Sequence, residues 1–210
     1  MNALWVEPPF REYHFIDLDR VKVAALEKLA GKRSDVHAYE GDSNTLLLQD
    51  VFPKIRFDEF RRGLCLLDPY GLHLNWDIIQ TAGQMRSIDM FVNFPVADIN
   101  RTVLWRHPEG VDPTDIERMN AFWGDESWRR IAYSTDRDLF GQPEKEENEA
   151  VAEAFRQRLQ SVAGFSRVPQ PLPMRNSRRA VVYYLFFASQ NAAGERIARD
   201  IFDKYRRRGI

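Results

Sequence analysis

The sequence predicts an α/β fold with a mostly parallel sheet and helices on both of its faces. Two observations lead to this prediction. Over about the first 95 residues, short apolar runs alternate with segments of helical periodicity, and parallel strands need such a helical crossover between them. The runs are also apolar throughout, which is typical of strands that are buried on both faces.

The composition indicates one globular domain. The chain has 210 residues, of which 44% are hydrophobic, so a substantial core is expected. The net charge of −1 gives no general attraction to nucleic acid or membranes, and no stretch approaches the roughly 20 apolar residues of a membrane span. The single cysteine, Cys65, is predicted to be structural and favours a reducing, cytoplasmic location. The four histidines lack zinc-ligand spacing, so no metal site is predicted.

The first half of the chain is predicted to alternate strands and helices. Four apolar runs are predicted strands: 12–17, 35–42, 64–68 and 87–95. The first helix begins after Asp19, a typical N-cap residue, and ends at Gly31. A short helix over 45–52 and a third, from Asn75 or Asp77 to about Met85, complete the crossovers.

The second half has a different character. Residues 98–142 hold three of the five Trp and many charges, and we expect a helical insertion or cap here. A long helix is predicted from about Pro143 to Ala163, because proline and an acidic run suit a helix N-terminus. Three prolines restrict 168–174 to an edge strand, which is predicted to form an antiparallel hairpin with a strand at 178–189. A final helix is predicted at 191–207.

Four polar residues close the successive apolar runs of the first half: Asp17, Asp42, Asp68 and Asn93. Their separations of 25 (42 − 17), 26 (68 − 42) and 25 (93 − 68) equal about one strand–helix unit. In a parallel sheet they then lie at the carboxyl edge, where open α/β folds bind ligands. An acid such as Asp17 can accept the two ribose hydroxyls of a nucleotide, and Asp42 can accept from an adenine. Each residue could instead be a helix cap or turn former.

These residues lie in segments that resemble the three-Cys-motif partner protein family, TcmP. The segments are FIDLD, EGDSN, LCLLDPYGLHLNWD, SIDMFVNFPVADINR, RMNAFWGDESW and VPQPLPMRNSRRAVVYYLFFASQNAAGERI. They cover nearly the whole chain. The resemblance implies a Rossmann-like fold, similar to class I S-adenosylmethionine-dependent methyltransferases. It also implies a three-Cys-motif, radical-SAM-like protein as partner.

The resemblance implies roles for several of the strand-end residues. Asp17 matches the acid that holds the cofactor ribose, and Asp42, with Ser43, matches the residues near adenine. Asp68, Pro69 and Tyr70 match the position where amino-methyltransferases carry an Asn/Asp-Pro-Pro-aromatic motif, which orients a target amine and stacks on a base. Here Tyr70 stands where the second proline would be, a departure from the pattern of amino-methyl transfer.

A second departure concerns the glycine-rich loop. A methyltransferase-like domain starts with a strand and a loop that lets the backbone approach the cofactor. The eleven glycines here include no GxG, and the sequence enters at the strand that ends in Asp17. We expect either a truncated product, which we favour, or a shortened form. The strands ending in Asp17 and Asp68 should then pair directly or leave an open edge, and S-adenosylmethionine should bind weakly or not at all.

Further side chains are candidates for substrate contacts. His73, beside the DPYG turn, could act as a general base, and Asn93 completes the acceptor side of the edge. Arg101 could bind a phosphate or carboxylate, although an ordinary salt bridge is the alternative. The tryptophans of the insertion could stack bases or form the core of a cap: Trp105, Trp123 and Trp128.

Three functions follow as hypotheses. The first is a methyltransferase-like enzyme domain that acts on nucleic acid or on a partner protein. The second is a non-catalytic module that docks on the three-Cys-motif protein. The third is a metal-dependent nuclease or phosphodiesterase that uses the acidic edge.

Overall fold

The computed structural model describes residues 3–105, 108–137, 143–145 and 147–208. The chain forms two compact units, Met1–Lys54 and Ile55–Ile210. In the described part of the chain, no helix combines the length and the apolar character that a membrane span needs.

The first unit is a β–α–β structure. Strands β1 (Tyr13–Asp17) and β2 (Val36–Glu40) pair in parallel, and helix α1 (Arg20–Ala30) connects them. The predicted boundaries of α1 are confirmed: Asp19 accepts a hydrogen bond from the Val21 N–H, and Gly31 ends the helix with a φ of 61°.

The last part of the first unit is a distorted helix. It begins as α2 (Ser43–Leu46), widens into a π turn over Leu47–Val51 and tightens into a 3₁₀ turn over Phe52–Lys54. The short helix predicted here is therefore present, and it is irregular before Pro53 as expected for a residue that cannot donate to the helix ladder.

The second unit begins with another parallel pair. Strands β3 (Gly63–Leu67) and β4 (Ile88–Phe94) are connected by helix α3 (Trp76–Met85), and helix α4 (Val96–Thr102) follows β4. Among the described residues, β1 pairs with β2 in the first unit and β3 pairs with β4 in the second.

The predicted helical insertion contains two short helices, α5 (Pro113–Trp123) and α6 (Trp128–Ala132). Strand β5 (Tyr133–Arg137), inside the insertion, pairs antiparallel with β6 (Pro143–Lys145), which follows the predicted bounds; the sequence predicted neither strand. The predicted bounds of the insertion also include residues 106–107 and 138–142, which lie outside the described residues.

Helix α7 (Asn148–Ser161) begins later than predicted, because Pro143 belongs to β6. The prediction of a helix from Pro143 was wrong. A proline and nearby acids permit a helix start, but packing decides where the helix begins: the buried face of α7 starts only at Val151 and continues through Phe155 and Leu159.

The C-terminal hairpin and the edge strand are as predicted. Strands β7 (Leu172–Arg175) and β8 (Val181–Ala188) pair antiparallel, and helix α8 (Ala192–Arg207) ends the described chain. The order in the second unit is β3-β4-β8-β7, with β4 and β8 also antiparallel. The α/β class is therefore confirmed, as a parallel two-stranded sheet and a mixed four-stranded sheet.

One face of the four-stranded sheet is largely covered. Alternate residues of β4 on this face are buried, from Ile88 to Phe94. Phe155 of α7 is central to the packing, with ring centroids 4.7 Å from Phe94, 5.8 Å from Phe122 and 5.1 Å from Phe186. Such aromatic packing supplies much of the core of this unit.

The opposite face is covered only in part. Helix α8 packs Ala198 and Phe202 onto the β7–β8 side of this face. A helix is about 10 Å wide and strands are about 4.8 Å apart, so one helix covers only about two of the four strands. The stripe of Ile197, Ile201 and Tyr205 on α8 was predicted to form one face, and these side chains remain 58%, 44% and 39% exposed.

Candidate functional site at the carboxyl ends of the parallel strands

The second unit brings two of the strand-end residues into contact. The Asn93 side-chain amide donates a hydrogen bond to Oδ1 of Asp68 over 2.5 Å. Leu67 is paired with Val92 in the parallel register, so the next residue of each strand meets at the carboxyl edge. Asp68 is exposed and Asn93 is half-buried, which leaves the other carboxylate oxygen of Asp68 open to a ligand.

The chain turns sharply after Asp68. Gly71 has a φ of 57°, a conformation that favours glycine, and the His73 N–H donates to the Tyr70 carbonyl over 3.3 Å. The Tyr70 side chain is 90% exposed and lies 6.3 Å from the His73 ring, nearly parallel to it. The turn thus presents an aromatic surface beside the Asp68–Asn93 pair.

A pocket of about 460 Å³ extends from this pair across the partly covered face of the sheet. Asp68 and Asn93 supply its polar end, and its walls are apolar: Leu66, Leu67, Phe91, Leu172, Met174, Leu185, Ile201, Phe202 and Tyr205. Pro69, Tyr70 and His73 are not among the lining residues. The arrangement suits a ligand with an apolar body and a polar or cationic head.

Helix α8 contributes to this pocket, which the sequence did not predict. The sequence predicts only that its apolar residues form one face of an amphipathic helix. The signal that could have shown otherwise is the second apolar position per turn: Ala198 and Phe202 are buried against the sheet, and the neighbouring Ile201 and Tyr205 line the pocket together with Phe202.

Asp17, in the first unit, holds a turn and keeps one oxygen more open. Its Oδ1 accepts the Asp19 N–H over 2.8 Å, and this hydrogen bond lowers the pKa of the Asp17 carboxyl. Its Oδ2 lies 3.4 Å from the Lys22 ammonium, which is largely exposed. Asp17 therefore fits the role of a ribose acceptor, since an exposed lysine is easily displaced.

Asp42 fits its expected role less well, because its side chain caps α2. Oδ1 accepts from the Asn44 backbone and side chain, and Oδ2 accepts from the Thr45 hydroxyl, each over 3.1 Å. Partial burial by itself would raise the pKa of the Asp42 carboxyl. The hydrogen bonds from Asn44 and Thr45 stabilise its charged form, and the pKa is lowered. Ser43 is the first residue of α2. The helix-cap alternative describes Asp42, and an adenine contact would have to compete with three hydrogen bonds.

Arg101 forms the ordinary salt bridge that was its alternative. Its Nη2 lies 2.6 Å from Oδ1 of Asp98, one turn earlier on α4. Trp105 is partly exposed and donates its indole N–H to the Arg101 carbonyl. The Arg101 guanidinium remains 77% exposed, so an anion can still reach it.

Two of the three tryptophans of the insertion are core residues. Trp123 and Trp128 are buried, and their indole N–H groups donate to Ser127 and Asn120. They cannot stack on bases, so the core interpretation is confirmed for both. Cys65 also agrees with a structural role, because burial raises the pKa of its thiol to about 12.

Within the described residues, no group of three or more His, Cys, Asp or Glu side chains is arranged to hold a metal ion. Comparison of the chain with known protein families, with characterised proteins and with solved structures gave no match. The resemblance to three-Cys-motif partner proteins is therefore an expectation from the sequence motifs.

Proposed function

We propose that this chain is a methyltransferase-like domain, Rossmann-like in fold, with a nucleotide- or S-adenosylmethionine-type site at the carboxyl ends of its parallel strands. The observation that carries the proposal is the Asn93–Asp68 hydrogen bond at the end of an apolar pocket. Each unit also contains a parallel β–α–β element, β1–α1–β2 and β3–α3–β4, the repeating part of a Rossmann-like fold.

We assign the binding of the methyl acceptor to the second unit. Asn93 fixes one oxygen of Asp68, and the other oxygen can accept a hydrogen bond from an amine or hydroxyl of the substrate. A carboxylate in this position favours an amine, which it can also orient and help to deprotonate. The apolar pocket would hold the body of the substrate.

We assign the binding of the cofactor ribose to the first unit. Asp17 would accept the two ribose hydroxyls, with Lys22 turning away into solvent. When bound, S-adenosylmethionine supplies an electrophilic methyl group. Because the eleven glycines include no GxG, we expect this binding to be weak, with a dissociation constant above about 100 µM.

The test is a titration with S-adenosylmethionine followed by two-dimensional NMR, which detects weak binding. Saturable shifts at residues around Asp17, lost in Asp17→Asn and retained in Asp58→Asn, would support the ribose assignment. Asp58 is a suitable control because it is exposed and paired only with Arg56 in the described structure. No saturable shift up to about 5 mM would reject the cofactor proposal. Micromolar affinity would instead contradict the expectation of weak binding.

A second candidate is a non-catalytic module that docks on a three-Cys-motif protein. The partly covered sheet face favours it, since exposed apolar patches mark protein interaction sites. Pull-down with a three-Cys-motif protein, lost in Ile201→Lys and kept in Leu18→Lys, would support this module. Leu18 is an equally apolar, 74% exposed control in the other unit. Failure of wild-type chain to bind would count against it.

A further inference from the structure

Strand β3 has one unpaired edge. The Gly63 N–H donates to the Ser87 carbonyl over 2.9 Å. Each residue of a parallel strand directs both backbone groups to the same side, so Gly63, Cys65 and Leu67 face β4, and Leu64 and Leu66 face away. Within the described chain, no backbone group bonds to those of Leu64 or Leu66.

This edge lacks the features that usually protect an edge strand. The strand GLCLL contains no lysine, proline or bulge. The Leu64 and Leu66 side chains are 43% and 64% exposed, and they lie on the partly covered face, where Leu66 pairs with Phe91. Both the backbone groups and the side chains of this edge are therefore available to another strand.

The charged residues that flank β3 indicate which strand can pair with its open edge. Arg62 and Asp68 flank the strand at equal distances from Cys65, three residues before it (65 − 62) and three after it (68 − 65). We propose that β3 pairs antiparallel with β3 of a second copy of this chain, about a two-fold axis at Cys65. Arg62 of each copy then lies opposite Asp68 of the other.

The hydrogen-bonding pattern agrees with this register. Leu64 lies opposite Leu66 of the second copy, and both direct their backbone groups outward, so the two such pairs exchange four hydrogen bonds. The two Cys65 residues form a non-hydrogen-bonded pair, since their backbone groups face β4. A two-fold axis at Leu64 would keep the hydrogen bonds but would place Asp68 opposite Phe60. A two-fold axis at Leu66 would place Asp68 opposite Leu64. Only the axis at Cys65 pairs the charges.

Both charged groups are accessible in the structure. The Arg62 guanidinium lies 3.9 Å from the Phe57 ring, and its Nη1 donates to the carbonyls of Phe57 and Arg61. In the described part of the chain no acceptor is bound to its Nη2, which can meet a carboxylate. Oδ2 of Asp68 can likewise meet a partner from another chain, because the Asn93 amide binds Oδ1.

The product is a continuous sheet of eight strands, in which four leucines from two copies cover one another. Two five-residue strands bury less than about 1,200 Å², so the dimer is weak and forms in the micromolar range. The inference rests on the edge of β3. Because Arg62 of the second copy would take the same Asp68 oxygen that the proposed function assigns to the substrate, dimerisation and substrate binding compete for that atom.

The test is sedimentation velocity over a range of concentrations. We expect a concentration-dependent dimer that Arg62→Asp or Asp68→Arg weakens at least about tenfold, since like charges then oppose each other. The double variant, with both charges exchanged, should dimerise again. Arg61→Asp is the matched control: Arg61 carries the same charge at the adjacent position, pairs with Glu59, and should leave the dimer intact.

Hydrogen exchange identifies the interface. The amides of Leu64 and Leu66 should exchange more slowly above the dimerisation midpoint in the wild type and in the double variant. A monomer up to about 200 µM, failure of the double variant to recover, or a dimer without protection of these amides would each overturn the proposal.

Discussion

The amide nitrogen Nδ2 of Asn93 lies 2.5 Å from Oδ1 of Asp68, although 25 positions (93 − 68) separate the two residues in the chain. The parallel register of β3 and β4 brings them together, because Leu67 and Val92 are partners and the next residues follow at the same edge. One carboxylate oxygen is thereby fixed while the other stays open. The candidate acceptor site depends on this relationship.

The Asp68–Asn93 contact should be measurable as a coupling energy. In a double-mutant cycle of Asp68→Ala and Asn93→Ala, we expect a coupling of about 0.5–1 kcal/mol in the free energy of unfolding, because solvent weakens a hydrogen bond to an exposed charged group. Urea denaturation provides the measurement. The cycle of Asp68→Ala with Asn100→Ala is the control, because Asn100 bonds to Asn148, and its coupling should be near zero.

The stability of the first unit should fall in mild acid. Burial lowers the pKa of His14, and the nearby His37, whose ring lies 5.0 Å away, acts in the same direction, as does Lys54. Tyr39 bonds to Nδ1 over 3.0 Å, and Glu12 lies 3.4 Å from Nε2 and opposes the shift. The unfolded chain takes up a proton below about pH 6.5 while the folded chain resists it. The stabilisation is therefore complete above that pH and is lost as pH falls through the lowered pKa.

Denaturation curves at pH 7.5 and 5.5, about one unit on either side of the ordinary histidine pKa, measure this effect. His14→Gln should reduce the difference between the two curves. His73→Gln, a substitution at an exposed histidine in the other unit, should leave it unchanged. Equal pH dependence in wild type and His14→Gln would show that His14 is not responsible.

Gly83 should tolerate no side chain, although it lies inside α3. A Cβ at this position would collide with the carbonyl group of Ala163, whose carbon would be 2.8 Å away. We expect Gly83→Ala to lower the free energy of unfolding by about 2–3 kcal/mol, despite the higher helix propensity of alanine. Thermal denaturation followed by circular dichroism would show it. Gly110→Ala, where the nearest atoms lie 3.8 Å away, should change stability by less than about 0.5 kcal/mol.

Arg158 should be important for the packing of α7 against the insertion. Its Nε donates to the Trp123 carbonyl over 2.6 Å, its Nη2 pairs with Asp125 over 2.7 Å, and its guanidinium lies 4.7 Å from the Trp76 ring. We expect Arg158→Leu to cost about 2 kcal/mol, because the carbonyl and the carboxylate lose their donors.

Arg158→Lys should recover little of this loss, because an ammonium group cannot reproduce the planar fork. The control is Arg118→Leu, which breaks a single exposed pair with Asp115 and should cost less than about 0.5 kcal/mol. Chemical denaturation of the three variants tests both statements. Equal losses in Arg158→Leu and Arg118→Leu would contradict the structural role of Arg158.

The sequence alone predicted the elements whose signals are local. Asp19 and Gly31 bound α1, and three prolines place β7 at the edge of the sheet. The position of Asp68 and Asn93 at one edge of the sheet was also predicted, because parallel strands of similar length bring equivalent positions to one edge. In the first two cases a few neighbouring residues decide the outcome, and in the third the length of one strand–helix unit does.

Other features were decided by the tertiary structure. The helix expected from Pro143 begins only at Asn148, because the face of α7 that packs against the core begins in its first turn and not at the proline. Which strands pair, and how much of a sheet face one helix covers, depend on elements far apart in the chain. The open edge of β3 and the exposed stripe of α8 are of this kind, because burial is a property of what packs against a residue and not of the residue itself.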